Sequence, residues 1–274
     1  MNHMFRRYAR PLVFASLCVF SACASAPPPR GVELAKLTWL EAERALKPET
    51  IVVIPLGAAA KEHGPHLTLE NDFLLAEYFK QRVLETCDVV VAPTIPYHFY
   101  PAFTEYPGST TLREDTARAL VVDIVTSLAH FGPRRFYVLN TGVSTVRALA
   151  PAAEELSRAG IVLRYTELDD MVPIEKAVCA QVRGSHADEV ETSMMLVIAP
   201  DTVDMSKAVQ DDNVKGEGGL TRERGNAKTY SPSGVWGDAT LATREKGERF
   251  VAAYVAILES DLAELARTPL PASP

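Results

Sequence analysis

Hydrophobic and polar positions follow two alternating periods along the chain from residue 37 onward. Segments with apolar residues at i, i+3 and i+4 predict helices, and short, almost wholly apolar runs between them predict strands. The predicted helices are residues 37–46, 73–86, 113–132, 144–160, 188–199 and 240–265. The predicted strands are residues 51–57, 88–95, 134–140 and 161–168.

Strands that are apolar on both faces and separated by helices are typical of a parallel sheet covered on both sides. We therefore predict one α/β domain over residues 37–268, a three-layer α/β/α sandwich with a mainly parallel sheet. Residues 210–238 interrupt this pattern with a polar, glycine-rich stretch. A loop of that length in a compact domain is usually functional or disordered, so we expect it to influence substrate choice.

The first residues of the chain have a different pattern. Residues 1–22 contain three arginines followed by an apolar run, which is typical of a secretory signal and too short for a membrane-spanning helix. The stretch "FSAC" ending at Cys23 resembles the lipobox of bacterial lipoproteins, whose cysteine is lipidated; cleavage near Ala24 or Ala26 without lipid is the alternative. Residues 23–36 then predict a tether. The protein is expected to be exported, either periplasmic or anchored to the membrane by lipid.

Composition excludes some partners. The 274-residue chain is 47% hydrophobic, carries a net charge of −7 and has no cluster of lysine and arginine, which argues against nucleic acid as a partner. Beyond the signal and Cys23, only Cys87 and Cys179 remain, and an oxidising compartment would permit them to pair. The absence of a CxxC motif argues against a zinc site made of thiolates.

A group of acids and histidines, "KEHGPHLTLEND", follows the first predicted strand. Ligands of parallel sheets bind at the carboxyl ends of strands, and imidazole and carboxylate groups suit zinc, manganese or iron. Glu62, His63 and Asp72 are therefore expected to converge on a metal. Asp72 could instead cap the following helix, and His66 could be a structural histidine or could support the ligands.

A second group, "GSHADEVETSMM", lies at the start of a later helix. His186 precedes Glu189 and Glu191, and these residues are candidates for the same site. The alternative is that the two acids only interact favourably with the helix dipole.

Four segments in order resemble the creatininase (creatinine amidohydrolase) family, namely "PLGAAAKEHGPHLTLEND", "EYPGSTTL", "HADEVETSMMLVIAPDTVDM" and "SGVWGDATLATREKG". The resemblance implies a three-layer α/β/α fold, a divalent metal centre, hydrolysis of an amide or amidine C–N bond in a small molecule, and a homo-oligomer. The metal ligands predicted from it are His63, Asp72, Glu62 and Glu191. The predicted catalytic residues are His186 and Glu62, and the residues expected to support the ligands are His66 and Glu189.

Two positions depart from the family pattern. The family's glutamate ligand, two residues before the first histidine, is Lys61 in this chain, so we expect the adjacent Glu62 to replace it. The family's histidine after the third strand is Gly142, and the ligand glutamate that sometimes follows is Ser144. We therefore expect a single ion, either zinc, manganese or iron. The alternatives to this hydrolase are an exported binding protein without catalysis and a metal-dependent lactonase.

Overall fold

The computed structural model describes residues 28–213, 216 and 218–271, so the predicted signal and Cys23 lie outside the described residues. The helices are α1 (Trp39–Ala45), α2 (Asn71–Thr86), α3 (Glu114–Ala129), α4 (Val146–Arg158), α5 (Val172–Val178), α6 (Glu189–Ile198) and α7 (Arg244–Arg267). The strands of the main sheet are β1 (Val32–Glu33), β2 (Ile51–Leu56), β3 (Val90–Val91), β4 (Arg135–Asn140) and β5 (Val162–Tyr165). No helix among the described residues is both apolar and long enough to span a membrane.

The five strands form one parallel sheet in the order β1-β3-β2-β4-β5. Every residue of β2 is buried, as its nearly unbroken apolar sequence predicts. β2 and β4 pair along their full length, from Ile51 opposite Arg135 to Leu56 opposite Asn140. Because these central strands end side by side, the loops that follow them meet at one edge of the sheet.

Each face of the sheet carries a separate apolar core. Ile51 and Val53 of β2 pack with side chains of α2, α6 and α7, whereas Val52 and Ile54 pack with α1, α3 and α4. The alternation arises because successive side chains of a strand point to opposite faces. This arrangement confirms the predicted three-layer α/β/α class.

The structure differs from the sequence-based expectation at several boundaries. Residues 23–36 do not form a tether throughout, because Val32–Glu33 pairs with β3 as an edge strand. The strand predicted for residues 88–95 is reduced to Val90–Val91. The long loop is partly ordered into β6 (Gln210–Asp211), β7 (Leu220–Thr221), β8 (Thr229–Tyr230) and β9 (Gly237–Asp238). Cys87 and Cys179 form no disulfide with each other.

A buried histidine outside the site should make the fold less stable in acid. Burial lowers the pKa of His98 to about 4, below the value near 6.5 in the unfolded chain. The unfolded chain therefore gains a proton between pH 6.5 and 4 that the folded chain resists. The free energy of unfolding is not reduced by His98 above pH 6.5 and falls as the pH drops. At pH 4.5 the loss due to His98 is roughly 2–3 kcal/mol.

Urea unfolding at pH 7.5 and pH 4.5 measures this effect, with His98→Gln as the test variant and His130→Gln as the control, because His130 is exposed. The His98 variant should lose less stability on acidification than the wild type and the control. An equal loss in all three proteins would show that His98 does not titrate in this way.

Candidate metal centre and active site

The loop after β2, the first turns of α2 and α6 and the segment before α6 carry the functional side chains, and the loop after β4 packs against Asp72. Gly57 follows β2 directly and lies against α2; a Cβ at Gly57 would come within 2.1 Å of the Asp72 carbonyl oxygen. This close backbone approach requires glycine, and it holds the first turn of α2 against the end of β2. Thr141, after β4, donates hydrogen bonds to the carbonyls of Leu56 and Asp72.

Asp72 is fully buried and lies between the Lys61 ammonium and the His63 imidazole. Its Oδ1 lies 2.7 Å from His63 Nε2, and its Oδ2 lies 2.7 Å from the Lys61 ammonium nitrogen. Burial opposes the charged carboxylate, but Lys61 and His63 outweigh it and hold the pKa of Asp72 well below its usual range. The helix-capping alternative for Asp72 is wrong, because Glu70 is the N-cap residue and Asp72 lies within the first turn.

The surroundings of His63 favour the tautomer that metal-ligating histidines adopt. His63 Nδ1 lies 3.0 Å from the carbonyl oxygen of Lys61, which can only accept a hydrogen bond. Neutral His63 therefore carries its proton on Nδ1, and its Nε2 lone pair faces the Asp72 carboxylate. Two lone pairs 2.7 Å apart require a proton or a cation between them, and a backbone carbonyl on the other nitrogen is the usual support of a metal-bound imidazole.

His186 has a comparable arrangement between two carboxylates. Its Nε2 lies 3.0 Å from the carbonyl oxygen and 3.1 Å from the Oε2 of Glu62, while its Nδ1 lies 3.7 Å from Glu191 Oε2. Burial disfavours the imidazolium, but the charges of Glu62 and Glu191 outweigh it and raise the pKa of His186. Burial also favours neutral Glu62, yet His186 and the Gly64 amide outweigh it and lower the pKa of Glu62.

Main-chain contacts fix the position of His186. Its N–H donates to the carbonyl of Trp236 and its carbonyl accepts from the Trp236 N–H, at 3.2 and 2.9 Å. The next residue, Ala187, has a φ of 48°, a left-handed conformation that is unusual for a residue other than glycine. The Ala187 N–H donates to Glu191 Oε2 at 2.5 Å, so this strained turn also positions the Glu191 carboxylate.

Three side chains, one from the loop after β2 and two from α6 and the segment before it, converge closely enough to hold a metal ion. One donor atom each from His63, His186 and Glu191 lies within 4.8 Å of the others. Imidazole and carboxylate donors suit zinc and similar divalent ions. The donor set and the tautomer of His63 therefore fit one ion.

Known proteins share both the sequence pattern and the fold of this chain. The family profile described as creatinine amidohydrolase matches residues 35–262. The chain belongs to the creatininase family. Creatinine amidohydrolase of Pseudomonas putida is 30% identical over 80% of this chain and 91% of its own length. The mycofactocin precursor peptide peptidase of Mycolicibacterium smegmatis is 30% identical over 75% of this chain and 81% of its own length.

A solved creatininase variant of Zn–Zn type is also similar in structure. It is 25% identical, superposes with a TM-score of 0.71, and the match covers 85% of this chain and 97% of that one. The relatives named above are an amidohydrolase and a peptidase, and together with the family assignment they support an enzyme of the hydrolase class for this chain.

Within this creatininase-family site, Glu62 does not lie among the three converging donors. Its carboxylate contacts His186 Nε2 and accepts a short hydrogen bond from the Gly64 N–H. Glu62 therefore lies behind His186 and orients it. The expectation that Glu62 moves into the place of the family's glutamate is not met, because its carboxylate is turned toward His186 while Lys61 contacts Asp72.

The two residues expected to support the ligands lie further from the converging donors. His66 Nε2 bonds to the Thr192 hydroxyl at 2.8 Å, and burial lowers the pKa of His66 to about 4. Glu189 accepts hydrogen bonds from the backbone N–H groups of Ala180 and Gln181 and pairs with Lys246. Glu189 thus holds the segment before His186, rather than contacting the donors directly.

A cavity of about 480 Å³ opens beside His186 and Glu191. Several wall residues were not identified from the sequence as site residues, namely Lys61, Phe103, Thr141, Leu168, Glu175 and Leu220. Burial and the charges of Glu191 and Asp169 raise the pKa of Glu175. Gly218, Gly219 and Trp236 of the long polar loop also line the cavity, which supports the expected influence of that loop on substrate choice.

Gly234, in the same loop, restricts the position of Glu62. It has a φ of 86°, and a Cβ there would come within 2.0 Å of Glu62 Oε1. We expect Gly234→Ala to displace the Glu62 carboxylate from His186 and to lower kcat/KM by roughly 10-fold or more, since catalytic groups tolerate little displacement. Steady-state kinetics and urea unfolding would measure the two effects.

Gly225→Ala is the matched control, because Gly225 has the same φ of 86° and a Cβ there would meet no other atom within 4 Å. Both variants carry the cost of a left-handed alanine, about 1–2 kcal/mol. Only Gly234→Ala should lose activity. Equal kinetics in the two variants would contradict a role for Gly234 in holding Glu62.

Proposed function

We propose that this protein hydrolyses the C–N bond of an amide or cyclic amidine with one divalent ion held by His63, His186 and Glu191. The observation that carries the proposal is the convergence of these three donors, within 4.8 Å of one another, beside the cavity. A bound divalent ion polarises a carbonyl group and lowers the pKa of water toward about 7. The names of the relatives, an amidohydrolase and a peptidase, support cleavage of a C–N bond.

Other residues of the chain orient the two imidazoles and shield one of them from water. The Lys61 carbonyl orients His63 through its Nδ1, Asp72 lies at the Nε2 of the same ring, and Glu62 orients His186 through its Nε2. The ring of Phe103, 4.3 Å from the His186 ring, covers this imidazole with an apolar surface and limits access of water.

Glu175, in the cavity wall, is the acid that returns a proton to the leaving group. Because burial and two neighbouring carboxylates raise its pKa, it keeps its proton at higher pH than an exposed glutamate. A protonated acid in that position can deliver a proton to the leaving nitrogen.

The proposal is tested with purified protein stripped by a chelator and then supplied with zinc, manganese or iron. A panel of amides, cyclic amidines and lactones is assayed in each state. We expect hydrolysis of C–N substrates only after metal is restored. Unchanged activity after stripping would contradict the metal centre, hydrolysis of lactones alone would identify a lactonase, and bound metal without turnover of any substrate would favour the non-catalytic binding protein.

We also propose that the protein is exported and anchored by lipid at Cys23, on the basis of the signal-like N-terminus and the "FSAC" segment. Cys23→Ser is expected to abolish incorporation of labelled fatty acid and to move the protein from the membrane fraction to the soluble fraction, because the thiol to which the lipid would be attached is removed. Cys18→Ser, inside the predicted signal, is the control and should keep both properties. Fatty-acid labelling of the Cys23 variant would contradict this proposal.

A further inference from the structure

A lysine ammonium lies inside the candidate metal centre. The Lys61 side chain is only 4% exposed, and its Nζ is 2.7 Å from Oδ2 of Asp72, whose side chain is completely buried. Burial of an unpaired charge is costly, so the two groups depend on each other for their charged forms. Lys61 thus supplies a fixed positive charge on the carboxylate that also faces His63.

Aromatic rings and the backbone hold this ammonium in position. Its Nζ lies 4.8 Å from the centre of the Phe103 ring and 5.5 Å from that of Tyr100, distances at which a cation is attracted to an aromatic face. The Lys61 N–H donates to the Leu69 carbonyl, and the Lys61 carbonyl lies against His63 Nδ1. The lysine is therefore anchored at both ends.

The space next to Asp72 offers few donors for another ion. The adjoining loop contributes Gly142, whose Cβ position would lie 3.2 Å from atoms of both Thr145 and Tyr100, so a larger side chain would require these neighbours to move. The Ser144 hydroxyl donates its hydrogen bond to the Phe99 carbonyl at 3.0 Å. A second dication beside Asp72 would meet the ammonium and would gain no imidazole or carboxylate ligand from this loop.

We propose that the Lys61 ammonium is a built-in cation that takes the place of a second metal ion, so that the centre binds one divalent ion rather than two. This inference rests on the proposed single-ion hydrolase and concerns the side of the centre at Asp72. The similar creatininase variant is of a Zn–Zn type, whereas here one of the two cations is part of the chain.

The test compares zinc binding and thermal unfolding in wild type, Lys61→Gln and Lys80→Gln. Lys80 is a matched control because it is also largely buried and paired with a carboxylate, Glu77, away from the site. Zinc stoichiometry is measured by calorimetric titration of chelator-treated protein and by elemental analysis after desalting. We expect one zinc ion in the wild type and in the control, and a second in Lys61→Gln.

Without zinc, Lys61→Gln should unfold roughly 10 °C below the wild type, since Asp72 loses its counter-charge, and zinc should restore most of this difference. The double variant Lys61→Gln, Asp72→Asn should bind no more zinc than the wild type, because the carboxylate available to the extra ion is removed. Recovery of soluble Lys61→Gln only in zinc-containing buffer would equally support the inference.

Two zinc ions in the wild type would overturn the inference, and so would a Lys61→Gln protein that has wild-type stoichiometry or is insoluble even with zinc. A wild type that binds no zinc would instead overturn the proposed single-ion centre. The inference on Lys61 would then still be decided by whether Lys61→Gln gains an ion relative to Lys80→Gln.

Discussion

Replacing His63 by glutamine should reduce both metal content and hydrolytic activity, with kcat/KM falling by at least about 100-fold. Glutamine keeps the approximate size of the side chain but removes the imidazole that converges with His186 and Glu191. Metal content by elemental analysis and steady-state kinetics on an amide substrate measure the two effects together.

His98→Gln provides the comparison, because His98 is as buried as His63 but lies outside the donor cluster. This variant should keep metal and most of its activity at neutral pH. Wild-type metal content and turnover in His63→Gln would be incompatible with the centre described above.

Replacing Asp72 by asparagine should be the most damaging single change to stability. The substitution leaves the Lys61 ammonium buried without its counter-charge and replaces the carboxylate that faces His63 by a neutral amide. Breaking one side of a buried ion pair typically costs about 3–5 kcal/mol, because the remaining charge is uncompensated. Urea unfolding at pH 7.5 would report the loss of unfolding free energy.

Asp188→Asn is the matched comparison, since Asp188 is also buried but caps α6 through the N–H groups of Val190 and Glu191. Burial and the charge of Glu191 raise the pKa of Asp188 to about 6, and asparagine is an equally good cap, but Asp188 Oδ2 also accepts a hydrogen bond from Gln181 Nε2 at 2.6 Å. The change should therefore cost only about 1–2 kcal/mol. If the two variants lost the same stability, the Lys61–Asp72 pair would not have the importance assigned to it.

The layers of the fold could be predicted from the sequence because their signals are local. The wholly apolar β2 and the helical periodicity of α2, α3, α4 and α7 require no knowledge of distant residues. The capping box of α1 is equally local, since Thr38 and Glu41 stand three residues apart and both capping bonds are present. β1 was missed because two residues next to a proline run carry too little periodicity to identify a strand.

The candidate site was predictable only in part. The grouping of Glu62, His63 and Asp72 after β2 pointed to the correct loop, and His186 is indeed brought to it. The sequence did not show which of these residues contact one another, because the contacts depend on the direction in which each side chain points. The burial of Lys61 could not be predicted from the sequence, in which its departure from the family pattern was the one unusual feature. Most lysines are solvated, and only the fold shows that this one is buried.

Two main-chain hydrogen bonds join His186 and Trp236, although 50 positions separate the two residues along the chain. Substitutions among the loop's side chains can therefore reshape the cavity wall while leaving the imidazole where it is. The substrate can in this way change while the position of His186 is kept. Selection experiments on this enzyme should therefore vary the side chains of the loop that line the cavity before they alter its length or its glycines.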